Sequence, residues 1–171
     1  MTLNGSIKNK PFAIFNFKNF VFSCLALFMF FSGGCSHPPL FEKNTTICNA
    51  LWSKYEIISF DVNIEDTTAK YNFFINVRNK TDYDYANLYL FMNTKYPSGD
   101  IARDTIECLL ADNNGKWFGK GWGKYRFLSL PLGNHIKFPQ KGLYSFSFEQ
   151  AMRTDTLQNI SDIGIRIEKS L

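Results

Sequence analysis

The stretch Ile58-Ser-Phe-Asp-Val-Asn-Ile64 alternates apolar and polar residues without a break. Side chains on a strand point to opposite faces in turn, so this segment buries one face and wets the other. The same period recurs outward from it. Tyr71, Phe73, Ile75 and Val77 alternate with Asn72, Asn76 and Arg78, while Phe74 adds bulk to the second face. Leu88, Leu90 and Met92 point away from Tyr89 and Phe91, and Tyr144, Phe146 and Phe148 alternate with Ser145 and Ser147. Ile163, Ile165 and Ile167 close the series, separated by Gly164 and Arg166 and followed by Glu168. No stretch sustains apolar residues at three-and-four spacing beyond a turn or two, so the domain is all-β.

The punctuation agrees. Tyr96-Pro97-Ser98-Gly99-Asp100 is a proline-started turn, Asp112-Asn113-Asn114-Gly115 offers an Asn-Gly pair that tolerates positive φ, and Phe138-Pro139-Gln140-Lys141-Gly142 is a third turn. About seven or eight strands separated by such turns predict a two-sheet antiparallel β-sandwich, immunoglobulin-like or jelly-roll-like. Three Trp and eight Tyr supply large side chains for the layer between the sheets.

The N-terminal part is of another kind. Lys8, Lys10 and Lys18 precede the apolar run from Phe20 to Phe31, which ends in Ser32-Gly33-Gly34-Cys35. A positive start, a short apolar middle and a small-residue exit read as a secretory signal over residues 1–34. The run is shorter than the roughly 20 apolar residues of a spanning helix. Ser-Gly-Gly-Cys resembles the bacterial lipobox, with Ser32 where leucine is usual. That resemblance implies a diacylglycerol and an N-acyl lipid on Cys35 as the membrane anchor. An uncleaved anchor, or a secreted protein with an incidental cysteine, is the alternative. Residues 35–51, with Pro38-Pro39 and an Asn/Thr cluster but no sustained period, read as a tether, and 52–171 as the sandwich domain.

Removing residues 1–34 takes three of the 19 basic residues and none of the 15 acidic ones, so the remainder is close to neutral. A nucleic-acid partner is not expected. Cys48 and Cys108 are the cysteines left beyond the anchor. In an oxidising envelope they could pair, closing a loop of about 60 residues worth roughly 4 kcal/mol. Equally, Cys108 could be a small buried side chain in a strand and Cys48 a loop thiol. With only His37 and His135 beyond the signal, neither a Cys–His dyad nor a zinc site with short ligand spacing is expected. No catalytic residue, metal or cofactor is assigned.

Lys116-Trp117-Phe118-Gly119-Lys120-Gly121-Trp122-Gly123 places three glycines on one face of an expected strand. Such a face lets another backbone or a flat ring come close. Two readings stay open: a bent strand under a packed aromatic layer, or a shallow surface where Trp117, Trp122 and Tyr125 contact a partner or a glycan. Packing is favoured, because tryptophans in small sandwiches are more often core.

Several segments together resemble the GldH gliding-motility lipoproteins of Bacteroidetes-type bacteria. They are Tyr71-Asn-Phe-Phe-Ile-Asn-Val-Arg-Asn79, Tyr96-Pro-Ser-Gly99, Asp104-Thr105-Ile106-Glu107, Ala111-Asp112 through Gly123, Glu149-Gln-Ala-Met-Arg153 and Ile163-Gly-Ile-Arg-Ile-Glu168. The resemblance implies a lipid-anchored, noncatalytic envelope protein. It would be an accessory or assembly component of the gliding-motility and type IX secretion apparatus, with protein partners in that machinery. Ser36-His37-Pro38-Pro39 lacks the acidic cluster of surface-export signals in such lipoproteins, which favours a periplasm-facing domain. A glycan- or peptidoglycan-binding module of the envelope is the alternative. Asp66-Thr67-Thr68 and Asp155-Thr156-Leu157 resemble the periplasmic O-glycosylation sequon of these bacteria, giving Thr67 and Thr156 as candidate sites.

Overall fold

The computed structural model describes residues 38–170; the expected signal and Cys35 lie outside the described residues. Eight long strands build two antiparallel four-stranded sheets. They are β1 (Phe41–Thr46), β3 (Ile58–Ile64), β4 (Tyr71–Lys80), β5 (Asn87–Lys95), β6 (Ile101–Leu109), β7 (Tyr125–Ile136), β8 (Gly142–Gln150) and β10 (Ile160–Lys169). A short ribbon pairs β2 (Leu51–Ser53) with β9 (Thr156–Gln158). One sheet runs β1-β10-β4-β7 and the other β3-β8-β5-β6. Setting the ribbon aside, successive long strands mostly alternate between the sheets, and each chain-terminal strand lies beside the other, β1 on β10. This interlocking order is that of a jelly roll, which decides between the two sandwiches anticipated.

The alternation read from sequence is the alternation observed. Ile58, Phe60, Val62 and Ile64 are buried while Ser59, Asp61 and Asn63 are exposed. Ile163, Ile165 and Ile167 face inward from β10 beside Val77, Ile75 and Phe73 of β4. Across the gap, Phe73 meets Phe146 of β8 at 4.9 Å between ring centroids. Tyr71, Phe138 and Tyr144 make edge contacts at 5.3 and 5.0 Å, closing the bottom of the core. Burying each such side chain contributes roughly 1.5–3 kcal/mol against leaving it in water. Trp52 is fully buried, and its indole N–H donates to Glu56 O at 3.0 Å.

The domain begins earlier than the tether reading allowed. Residues 41–46 form β1, paired residue for residue with β10, and Ile47 and Ala50 are buried in the short 3-10 turn that follows. The side chains of β1 are mostly polar and exposed, so a period-two search passes over it. Its backbone hydrogen bonds hold it. Gly164 of β10 makes that contact close: Asn44 lies over it, and the Asn76 side-chain amide donates to Asn44 Oδ1 at 3.2 Å.

A Cβ at Gly164 would occupy the space of Asn44 Oδ1 and come within 2.5 Å of Lys43 O. Gly164→Ala is therefore expected to destabilise the domain by about 1–3 kcal/mol, by urea denaturation, with β1 amides losing hydrogen-exchange protection first.

Candidate functional site

The register separates the two ends of the sandwich. At one end the chain enters at Pro38 and Phe41, near Tyr71, Ile136 and Lys169, with the short connections 65–70, 96–100 and 137–141. At the other lie the longer connections 47–57, 81–86, 110–124 and 151–159. The ten residues of β4 span the distance between ends, ~30 Å at strand rise. Exposed large apolar side chains are unevenly divided. Of the thirteen among the described residues, all but Leu40, Ile101 and Leu143 lie on or near the end with the longer loops. Trp122 is 95 % exposed, the most open of them, and Tyr55 is 81 % exposed.

The 110–124 loop shows how Trp122 is held outward. Asp112 Oδ1 accepts the amides of Asn114 and Lys116 at 2.9 and 2.8 Å, closing the predicted Asn-Gly turn with Gly115 at φ +79°. Trp117 bridges to Ala111 and packs, half-buried, against the core. No strand runs through 119–123, contrary to the expectation. The chain instead doubles back on β7, with Lys120 and Phe127 exchanging backbone hydrogen bonds at 2.9 and 2.8 Å. The glycines serve that approach: a Cβ at Gly119 would lie 3.0 Å from Phe127 O, and one at Gly121 would collide with Tyr125 O. Arg126 Nη1 donates to Gly123 O at 2.7 Å and to Tyr125 O at 2.8 Å. The loop is thus tied at its base by backbone contacts and leaves Trp122 in solvent, so the packing reading of Trp122 is corrected. Trp117 does pack, and Tyr125 is 41 % exposed at the rim.

Beside Tyr125 opens a cleft of about 400 Å³ lined by Thr46, Ile47, Asn49, Ala50, Arg78, Lys80, Tyr125, Ser161 and Asp162. Asp162 accepts a hydrogen bond from Thr46 Oγ1 at 2.7 Å and pairs with Arg78 Nη1 at 3.3 Å. The Ser161 hydroxyl is buried without a hydrogen-bond partner. One wall is left-handed backbone at Asn49 (φ +55°) and Ala50 (φ +57°). A left-handed alanine costs roughly 1–2 kcal/mol. It is held by Ala50 N–H donating to Ile47 O at 3.0 Å and by Ala50 O accepting from Asn159 N–H at 2.8 Å.

A second recess at the same end, about 490 Å³, is lined by Tyr85, Tyr89, Ala151, Met152 and Arg153. Gln150, buried, shapes it by donating to Thr154 O at 2.8 Å and accepting the Met152 amide at 2.9 Å. Nearby, Asn87 and then Tyr89 hold the Glu107 carboxyl below its ordinary range, and the same contact raises the Tyr89 phenol.

The two thiols left open for pairing are both free, Cys48 exposed in the 3-10 turn and Cys108 buried in β6. Burial pushes the Cys108 thiol up to about 12. Thr67 is half-buried in the 65–70 turn, and Thr156 is exposed at the start of β9. His135 lies near the chain-entry end, where its ring contacts Ser170. Among the described residues, no group of three or more His, Cys, Asp or Glu side chains gathers as a metal site. No described helix is long and apolar enough to cross a membrane.

An all-β jelly-roll domain with its exposed aromatics gathered at one end is the class these features define. A sequence profile of the family described as GldH lipoprotein matches residues 39–167, and the chain belongs to that family. It is 38 % identical over 126 residues to a protein of Christiangramia forsetii named gliding motility lipoprotein GldH homolog, covering 70 % of this chain and 78 % of that one. It is 32 % identical over 159 residues to gliding motility lipoprotein GldH of Flavobacterium johnsoniae, covering 89 % and 97 %. Among solved structures, part of a 4-O-methyl-α-glucuronidase of family GH115 aligns at TM-score 0.42 and 8 % identity. That match covers 80 % of this chain but only 18 % of the enzyme and carries no functional weight.

Because Trp122 touches little, Trp122→Ala is expected to shift unfolding free energy by less than about 0.5 kcal/mol. Trp52→Ala, which empties the core, should cost about 3–5 kcal/mol. Denaturant melts of the two variants side by side check this; a large loss at Trp122 would return it to the core.

Proposed function

We propose that this chain is a lipid-anchored, noncatalytic accessory or assembly component of the gliding-motility and type IX secretion apparatus. Acylated Cys35 holds it in the envelope, facing the periplasm, and the loop end meets protein partners. The observation that carries this reading is the gathering of exposed apolar side chains at the end remote from the chain's entry. Exposed apolar surface of this kind, rich in Trp and Tyr, is what protein interfaces use. Only Ser36 and His37 separate Cys35 from Pro38, a reach of at most about 10 Å. An anchor there keeps the domain close to the bilayer. The names of the relatives add a connection with gliding motility.

Glycan binding is retained as a second reading on one observation, the open face of Trp122 beside Tyr125, since flat exposed aromatics also stack on sugars. In-cell crosslinking of tagged chain beside its Cys35→Ala form, with captured species identified by mass spectrometry, separates the two. Gliding or type IX secretion components, captured by the first and lost or weakened in the second, are expected. Envelope glycan without a protein partner would overturn the assembly role and promote the glycan reading.

We also propose O-glycosylation at Thr67 or Thr156, favouring Thr156 for its exposure. The envelope form should then exceed the mass of the lipidated polypeptide, and Thr156→Ala should remove the excess. An intact mass equal to that of the lipidated chain would reject it.

A further inference from the structure

The cleft between the 3-10 turn and the ends of β1, β4, β7 and β10 carries an unbalanced charge. Arg78 and Lys80 line it against a single carboxylate, Asp162. That carboxylate is already engaged by Thr46 and by Arg78. Lys80 is held at its backbone, its N–H donating to Asn159 O at 2.9 Å, while its ammonium enters none of the ion pairs among the described residues. Ser161, 7 % exposed, brings a hydroxyl without a partner to the floor. The cleft therefore offers a positive charge and hydrogen-bond donors with nothing to take them.

From this we infer that the Arg78–Lys80 cleft receives a carboxylate from an acidic segment of the partner protein. The inference rests on the partner-binding reading above and names the chemistry of the contact. One excess positive charge matches a monoanion, whereas Asp162 at the rear repels a more highly charged group such as a phosphate. A volume of about 400 Å³ admits one side chain with its waters and not a folded polymer. Exposed Trp122 is tied to the rim, since Tyr125 lines the cleft and its N–H donates to Trp122 O at 3.3 Å. A segment seated here thus presents an Asp or Glu to Lys80 and apolar residues to Trp122. Pairing inside a partly desolvated cleft also fixes register, which exposed aromatics alone do not.

The test is photocrosslinking in cells from the full chain carrying benzoylphenylalanine in place of Trp122, compared in Lys80, Lys80→Arg, Lys80→Gln and Lys80→Glu backgrounds. Capture of an envelope protein is expected, with the crosslinked partner segment, mapped by mass spectrometry, carrying Asp or Glu within a few residues. Yield should hold in Lys80→Arg, fall at least fivefold in Lys80→Gln, and fall further in Lys80→Glu. Urea melts of the variants separate loss of charge from loss of fold, and Lys80→Gln keeps the aliphatic stem if Lys80→Glu does not fold. Capture unchanged in Lys80→Gln, or a crosslinked segment without acidic residues, overturns the acidic cleft while leaving the partner surface at Trp122 standing. Capture of no protein, or of glycan alone, overturns both.

Discussion

Two rows of inward apolar side chains pressed face to face are the constraint on which the rest of this domain depends. Ile163, Ile165 and Ile167 of β10, with Phe73, Ile75 and Val77 of β4, oppose the inner rows of β3, β5 and β8. Because a strand's side chains alternate, shifting any of these strands by one residue would turn its apolar row to water. That sets the register, and the register sets which residues reach each end. Gly164 shows how tightly the arrangement is drawn: the outward position between two inward isoleucines must be empty for β1 to close the sheet.

A sandwich whose middle is so determined leaves variation to its ends. Here the ends differ. The chain-entry end is closed by short turns and by the aromatic contacts of Tyr71, Phe138 and Tyr144. Asp66 ties the C-terminal strand there, accepting from Thr68 and Ala69 and pairing with Lys169 at 2.9 Å. Both ends carry a recess and left-handed backbone, His135 at the entry end and Asn49–Ala50 at the other; what sets the opposite end apart is its longer loops and outward aromatics. The outward aromatics add nothing to the core. Apolar side chains left in water persist where something besides stability selects them, and the proposed protein partner would be such a factor.

Strands β3, β4, β5, β8 and β10 were legible in the sequence because each keeps an apolar row at every second residue. Strands β1, β6 and β7 did not stand out in that way. Phe41-Glu-Lys-Asn-Thr-Thr46 is polar on both faces and gains its place by backbone pairing with β10. The β7 pattern is blurred by Pro131 and Gly133 and by intermediate exposure on both sides. The glycines at 119 and 121 were read correctly as permitting close approach, but what approaches is the edge of β7. A tryptophan's solvent exposure is not encoded locally, so Trp117 and Trp122 could not be told apart until the loop's course was known. The cleft draws on four separate segments, and only the fold brings Thr46, Arg78, Tyr125 and Ser161 to one place. The family likeness, by contrast, was carried by contiguous motifs, which is why it could be seen without the fold.

The claim that the loop end meets a partner is most directly tested by site-specific thiol labelling in living cells. Single cysteines would replace Tyr55 or Trp122 at the loop end and Ser98 or Lys141 at the chain-entry end, in a Cys48→Ser background that removes the exposed native thiol. Rates of maleimide labelling would be compared between the host and a strain lacking its gliding and secretion components. Slower labelling at positions 55 and 122 when those components are present, with positions 98 and 141 unchanged, is the predicted result. Equal rates at the loop end in both strains, or protection confined to the chain-entry end, would contradict it.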